Sequence, residues 1–137
     1  MAGALLAGAG AAPAAQADTA TTTQSKAVQA GPKHNFGPIY SNGTESLAKE
    51  SYFRGYWQKR GGNYYFSGDL GDRHNGDGDY SYVWFKYYDS SGFHRDVYRS
   101  DDRRRHFGEI RFKRDLKIRV CEGNTRNSGC GSYKDVF

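Results

Sequence analysis

From Ser51 onward the apolar side chains recur every second residue, and this limits what the chain can fold into more than any other feature. Tyr80, Tyr82, Trp84, Lys86 and Tyr88 alternate with Ser81, Val83, Phe85 and Tyr87. Residues two apart in a strand share a face. The segment therefore reads as a strand with rings on both faces, one packed in the core and one partly exposed. Tyr52–Trp57 and Tyr64–Phe66 are aromatic runs separated by Lys59-Arg60-Gly61-Gly62, a good hairpin connection. The period continues through Phe93–Arg99, Glu109–Lys113 and Leu116–Val120, and Tyr133–Phe137 reads as a short last edge strand. No window carries an apolar stripe at helical spacing. Closely spaced strands with turn residues between them predict an all-β fold, a small β-sandwich or a barrel-like sandwich.

Such a core must be built largely of rings. Only 36% of the residues are hydrophobic but 15% are aromatic. Each ring buries roughly 150–250 Å², so a dozen can replace the missing aliphatics. Trp84 and at least half of the tyrosines are expected inside.

The length of 137 residues suits one domain. Met1 to Ala12 is almost wholly Ala, Leu and Gly, and Ala15-Gln16-Ala17 has the small-x-small pattern of a signal peptidase site. Residues 1–17 therefore read as a signal peptide cleaved before Asp18. Its basic start is missing, as in a signal truncated at its beginning. Residues 18–50 read as a polar flexible arm, whose first large apolar residues, Phe36, Ile39 and Tyr40, stand among Gly and Pro. Residues 51–137 make the β-sandwich domain. No other segment approaches the roughly 20 apolar residues of a membrane span.

The two cysteines, Cys121 and Cys130, flank a Gly/Asn/Ser-rich stretch that can bend the chain back. An even count in an exported small protein favours a disulfide. Closing a loop of about ten residues contributes roughly 2.7 kcal/mol in the chain-entropy model. Without a paired CxxC or a His pair, the spacing matches no common zinc site.

Phe66-Ser67-Gly68-Asp69-Leu70-Gly71-Asp72, Asp77-Gly78 ahead of a strand, Ile118-Arg119-Val120-Cys121 and Cys130-Gly131-Ser132-Tyr133 together resemble a group of small secreted actinobacterial β-sandwich proteins. That group shares a G-x-L-x-D segment, a DG before a strand and an I-x-V-C…C-G-x-aromatic ending. The likeness runs from about Tyr56 to Tyr133 and carries no catalytic residues. Some similar proteins are adaptor subunits of secreted antibacterial toxin particles, in which a polar N-terminal arm threads into a partner. The resemblance implies such a role for residues 18–50.

Several clusters bear on function. Asp72, Asn75, Asp77 and Asp79, with Asp69 nearby, form an acidic loop that could hold calcium. Asn75-x-Asp77-x-Asp79 copies the first half of an EF-type loop, but Tyr80 stands where that loop needs Gly and Lys86 where it needs Glu. A turn built on Asp, Asn and Gly explains the cluster as well, so no metal and no cofactor is expected. Arg103, Arg104 and Arg105, followed by Lys113, Arg114, Lys117 and Arg119, are the main basic feature, with Arg111, Lys113, Lys117 and Arg119 on the outward phase and Tyr88 and Tyr98 available to interleave. The net charge of +5 attracts polyanions of any kind. Nucleic acid is not an expected partner of an exported protein; an acidic protein is.

His106, Glu109 and Arg105 are the best approach to a nuclease constellation. In a regular strand, however, His106 and Glu109 fall on opposite faces. No G-x-S-x-G marks a hydrolase. Trp57, Trp84 and Tyr82 are candidates for stacking on sugars. The reading of the whole is a secreted, non-catalytic protein-interaction module, with an adaptor in a secreted toxin assembly as the form the resemblance implies. Its partner would be another secreted protein, contacted through Phe36, Ile39 and Tyr40 and through Arg103, Arg104, Arg105, Lys117 and Arg119. The alternatives are a domain that binds cell-wall carbohydrate and a small secreted toxin enzyme such as a ribonuclease.

Overall fold

The computed structural model describes residues 29–42, 49–74 and 76–137. The expected signal peptide, its cleavage site, residues 18–28 and 43–48 of the expected arm, and Asn75 lie outside the described residues. Eight strands follow in order: β1 His34–Tyr40, β2 Ser51–Arg60, β3 Asn63–Asp72, β4 Tyr80–Asp89, β5 Gly92–Ser100, β6 Arg104–Phe112, β7 Arg114–Gly123 and β8 Lys134–Asp135. They form two four-stranded sheets, β1-β2-β3-β6 and β5-β4-β7-β8. Every pairing is antiparallel. The fold is the expected all-β sandwich, and no described residue is helical.

The expected hairpin forms between β2 and β3. Gly61 and Gly62 both take positive φ, 55° and 79°, which a two-residue turn matching the strand twist demands. The inward faces then meet ring to ring. Phe53, Phe66, Leu70, Phe107 and Phe112 of the first sheet oppose Val83, Phe85, Tyr87, Leu116, Ile118 and Val120 of the second, all buried. Phe85 touches Phe53, Phe66 and Phe107 edge-on, at centroid distances of 5.3, 5.0 and 5.6 Å. On the outer face of the second sheet, Tyr82, Trp84 and Cys121 make a second buried cluster. Both faces of β4 are thus covered.

The sandwich begins earlier than residue 51. Strand β1 pairs along β2, and its Ile39 is 5% exposed in the core. Phe36 packs on Phe53. The register of β1 shifts between Phe36 and Ile39, across Gly37-Pro38. That irregularity breaks the two-residue period, so the segment reads as an arm in sequence although it is a strand in space.

A second irregularity lies in β6. Phe66 pairs with Ile110 and Gly68 with Phe107, so the extra residue falls at Gly108-Glu109. This bulge lets Phe107 and Ile110, an odd spacing apart, both pack on the core. Lys113 alone joins β6 in one sheet to β7 in the other. The basic residues expected on one face are therefore divided, with Arg111 on the first sheet and Lys117 and Arg119 on the second.

Candidate functional site

The inward alternation of five strands runs off the hydrophobic core into polar residues at one end of the sandwich. One step beyond Phe53, Leu70, Val83, Tyr98 and Val120 come Ser51, Asp72, Ser81, Ser100 and Glu122, all buried. Ser51 and Ser81 bridge the two sheets, oxygen to oxygen, at 2.6 Å. Glu50, just before β2, is 1% exposed and Glu122 is 6% exposed. With Asp77 of the β3–β4 connection they bring three carboxylates together, one oxygen from each lying within 4.8 Å of the others. Among the described residues this is the group that could hold a metal ion.

Among the described residues, little neutralises this cluster. The Ser41 hydroxyl approaches Glu122 Oε2 at 3.4 Å. His74 Nδ1 lies 3.1 Å from Glu50 Oε1 without hydrogen-bond geometry. Among the described residues, both Glu50 carboxylate oxygens and Glu122 Oε1 are buried with no hydrogen-bond partner. Burial raises the pKa of Glu50. Burial, and then the neighbouring Glu50, push Glu122 up to about 8. Asp77 is held below its ordinary value, chiefly by the backbone N–H of Asp79, which donates to it at 3.0 Å.

The disulfide fixes one side of this end. Cys121 and Cys130 are bonded, and the loop between them folds back so that Glu122 N donates to Ser128 O. Trp84 Nε1 donates to Arg126 O at 2.9 Å, and Asn42 N donates to Gly129 O. Gly129 has φ of +53°, and a Cβ there would collide with the Glu122 carbonyl.

On the outside of the first sheet, at the same end, lies a cleft of about 400 Å³. Pro38 and Tyr40 from β1, Tyr52 and Arg54 from β2, Asp72 at the end of β3 with Arg73 after it, Arg103 just before β6 and Arg104 at its start line it. Tyr52 lies over Gly71, its cross-strand partner, where any side chain would fill the space of the ring. Arg73 stands over both tyrosine rings, 5.5 Å from Tyr40 and 6.0 Å from Tyr52, and Arg54 is 5.8 Å from Tyr52. Arg104 donates to Asp69 Oδ2 at 2.6 Å. Among the described residues, no carboxylate forms an ion pair with Arg54, Arg73 or Arg103.

The residues expected to contact a partner therefore separate. Tyr40, Arg103 and Arg104 meet in the cleft. Phe36 and Ile39 belong to the core. Arg105 stands over Phe107 and Tyr98. Arg119 is held between Trp84 and Tyr133, 4.7 and 4.8 Å from their rings, while Lys117 is exposed on the same distant face. Arg54 and Arg73 escaped notice in sequence. Arg54 is in phase with Tyr52 on the outward face, a signal that could have found it; Arg73 belongs to no strand.

Of the calcium candidates, Asp77 joins the carboxylate cluster. Asp72 Oδ1 accepts the His74 N–H at 2.8 Å, and Asn75 lies outside the described residues. Glu50 and Glu122 were not anticipated, although Glu122 continues the inward phase of Leu116, Ile118 and Val120. His106 and Glu109 do share the outer face, because the bulge corrects their odd spacing. They are nevertheless bound separately: His106 Nδ1 to Asp69 Oδ1 at 2.8 Å, and Glu109 to Arg60. The sugar candidates have occupied rings. Trp84 and Tyr82 are buried, with Arg95 and Arg119 stacked on Trp84, and Trp57 stacks on His34 at 3.8 Å.

No helix among the described residues is long and apolar enough to cross a membrane. Comparison with protein families, with curated proteins and with solved structures finds no match.

Proposed function

We propose that the protein is a secreted, non-catalytic binding module that takes an acidic segment of another protein into the cleft between Tyr40, Tyr52, Arg73 and Arg103. The observation that carries this reading is a cleft in which Arg54 and Arg73 stand over two tyrosine rings and, with Arg103, form no carboxylate ion pair among the described residues, on a disulfide-bonded frame. Guanidinium recognises carboxylate through a planar fork of donors, and a preformed array spends little ordering entropy on binding. The disulfide suits an oxidising compartment, in keeping with export. The adaptor role implied by the resemblance is one form of this reading.

An affinity capture from the producing cells' culture fluid tests it. Wild-type protein should retain a partner that high salt elutes, and Arg73→Glu with Arg103→Glu should lose it while still folding. Retention by the doubly reversed protein would refute the cleft.

A second reading draws on one contact. Asp69 orients His106 beside Arg104 on an exposed face, as a general base would need. Cleavage of RNA by purified protein, lost in His106→Ala, would favour a toxin enzyme; no cleavage would remove it.

A further inference from the structure

We infer that Glu50, Asp77 and Glu122 form a site for a divalent, oxygen-preferring cation of the calcium class, which fastens the β3–β4 connection to the end of the sandwich. The spacing fits. Oxygens bound to one calcium at about 2.3–2.6 Å lie at most about 5 Å apart, and these three carboxylates each offer an oxygen within 4.8 Å of the others. The second observation is independent of the clustering. Among the described residues, both oxygens of Glu50 and Oε1 of Glu122 are buried without a hydrogen-bond partner, and buried polar atoms are rarely left so. They belong to the carboxylates whose oxygens come within 4.8 Å of one another, and a cation held among them would supply a partner.

The surroundings support a metal over a counter-charge from the protein. Among the described residues, His74 is the sole basic side chain paired with the cluster, and it is mostly exposed. The nearby guanidiniums line the outer cleft instead. The two glutamates come on ordered backbone: Arg73 N donates to Glu50 O, and Glu122 N is clamped by the disulfide loop. Asp77 is exposed, so its side opens to solvent and water can complete the coordination shell. Carboxylate and hydroxyl oxygens with no thiolate suit calcium rather than a softer ion. This site differs from the EF-like half-loop in sequence, with which it shares Asp77 alone.

The test uses the full chain, stripped with a chelator and titrated with calcium chloride by calorimetry and thermal unfolding. One calcium should bind per chain, and saturation should raise the unfolding midpoint by at least about 4 °C. Glu122→Gln, which keeps the size and shape of the side chain, should remain folded in chelator and lose both the binding heat and the shift. Asp77→Asn, in an exposed connection that tolerates change, should weaken both. Glu109→Gln, on the outer face of the first sheet, should alter neither. Absence of calcium binding to the wild type, an equal shift in Glu122→Gln, or saturable binding of zinc alone would overturn the assignment.

Discussion

Asp69 holds two donors at once, Arg104 at 2.6 Å and His106 at 2.8 Å. Burial works to raise its pKa, but the hydrogen bonds from Arg104 and His106 prevail and hold the carboxyl below its ordinary value. A carboxyl depressed in the folded state adds stability above its unfolded value, about 3.9, and loses it as pH falls through the lower folded value. Both partners are exposed, so the contribution is about 0.5–1 kcal/mol. Urea unfolding should show Asp69→Asn less stable than wild type by that amount at pH 7, with the difference shrinking as pH falls below the ordinary carboxylate range. Phe66, fully buried against Phe85, Tyr87 and Phe112, should cost about 3–5 kcal/mol when replaced by Ala. At this scale the sequence was readable where a side chain follows its strand's phase, as Phe85, Val120 and Trp84 do. It was misleading where the phase carried a charge: Glu122 continues an apolar series inward, and a carboxylate is ordinarily assigned to solvent.

Strands with an unbroken period were legible, among them β4, β7 and the Gly61-Gly62 hairpin. The two interrupted strands were not. In β1, Gly37-Pro38 hides the alternation that would have joined Phe36 and Ile39 to the core. In β6, the bulge at Gly108-Glu109 reverses the face of Glu109 relative to a regular strand. Strand β1 can be tested directly. Ile39→Ala should destabilise the domain by about 2–5 kcal/mol, measured by thermal or urea unfolding, whereas a residue of a loose arm would cost nothing. The loop between Cys121 and Cys130 makes a similar claim. Replacing both cysteines with Ser should lower stability by about 2.7 kcal/mol and make the unfolding midpoint insensitive to reductant. The cysteine count announced the bridge; that its loop would clamp Glu122 and cap Trp84 depended on long-range packing.

At the scale of the whole molecule, the described residues form two cationic surfaces on opposite sheets. On the second sheet, Arg95, Arg119 and Lys86 lie against Trp84 and Tyr133, so their charge comes with a covered apolar layer. On the first sheet, Arg54, Arg73 and Arg103 border a cleft, and that concavity distinguishes a binding site from a solvated face. A run of arginines in sequence cannot reveal this, because the cleft draws on four strand ends that are distant along the chain. The most direct test is an NMR titration of the folded protein with a short polyglutamate peptide at low and high salt. Shifts concentrated at Tyr40, Tyr52, Arg73 and Arg103, and abolished by salt, are the predicted result. Shifts centred on Arg95, Lys117 and Arg119, or spread evenly over both sheets, would contradict the cleft as the place where an acidic partner binds.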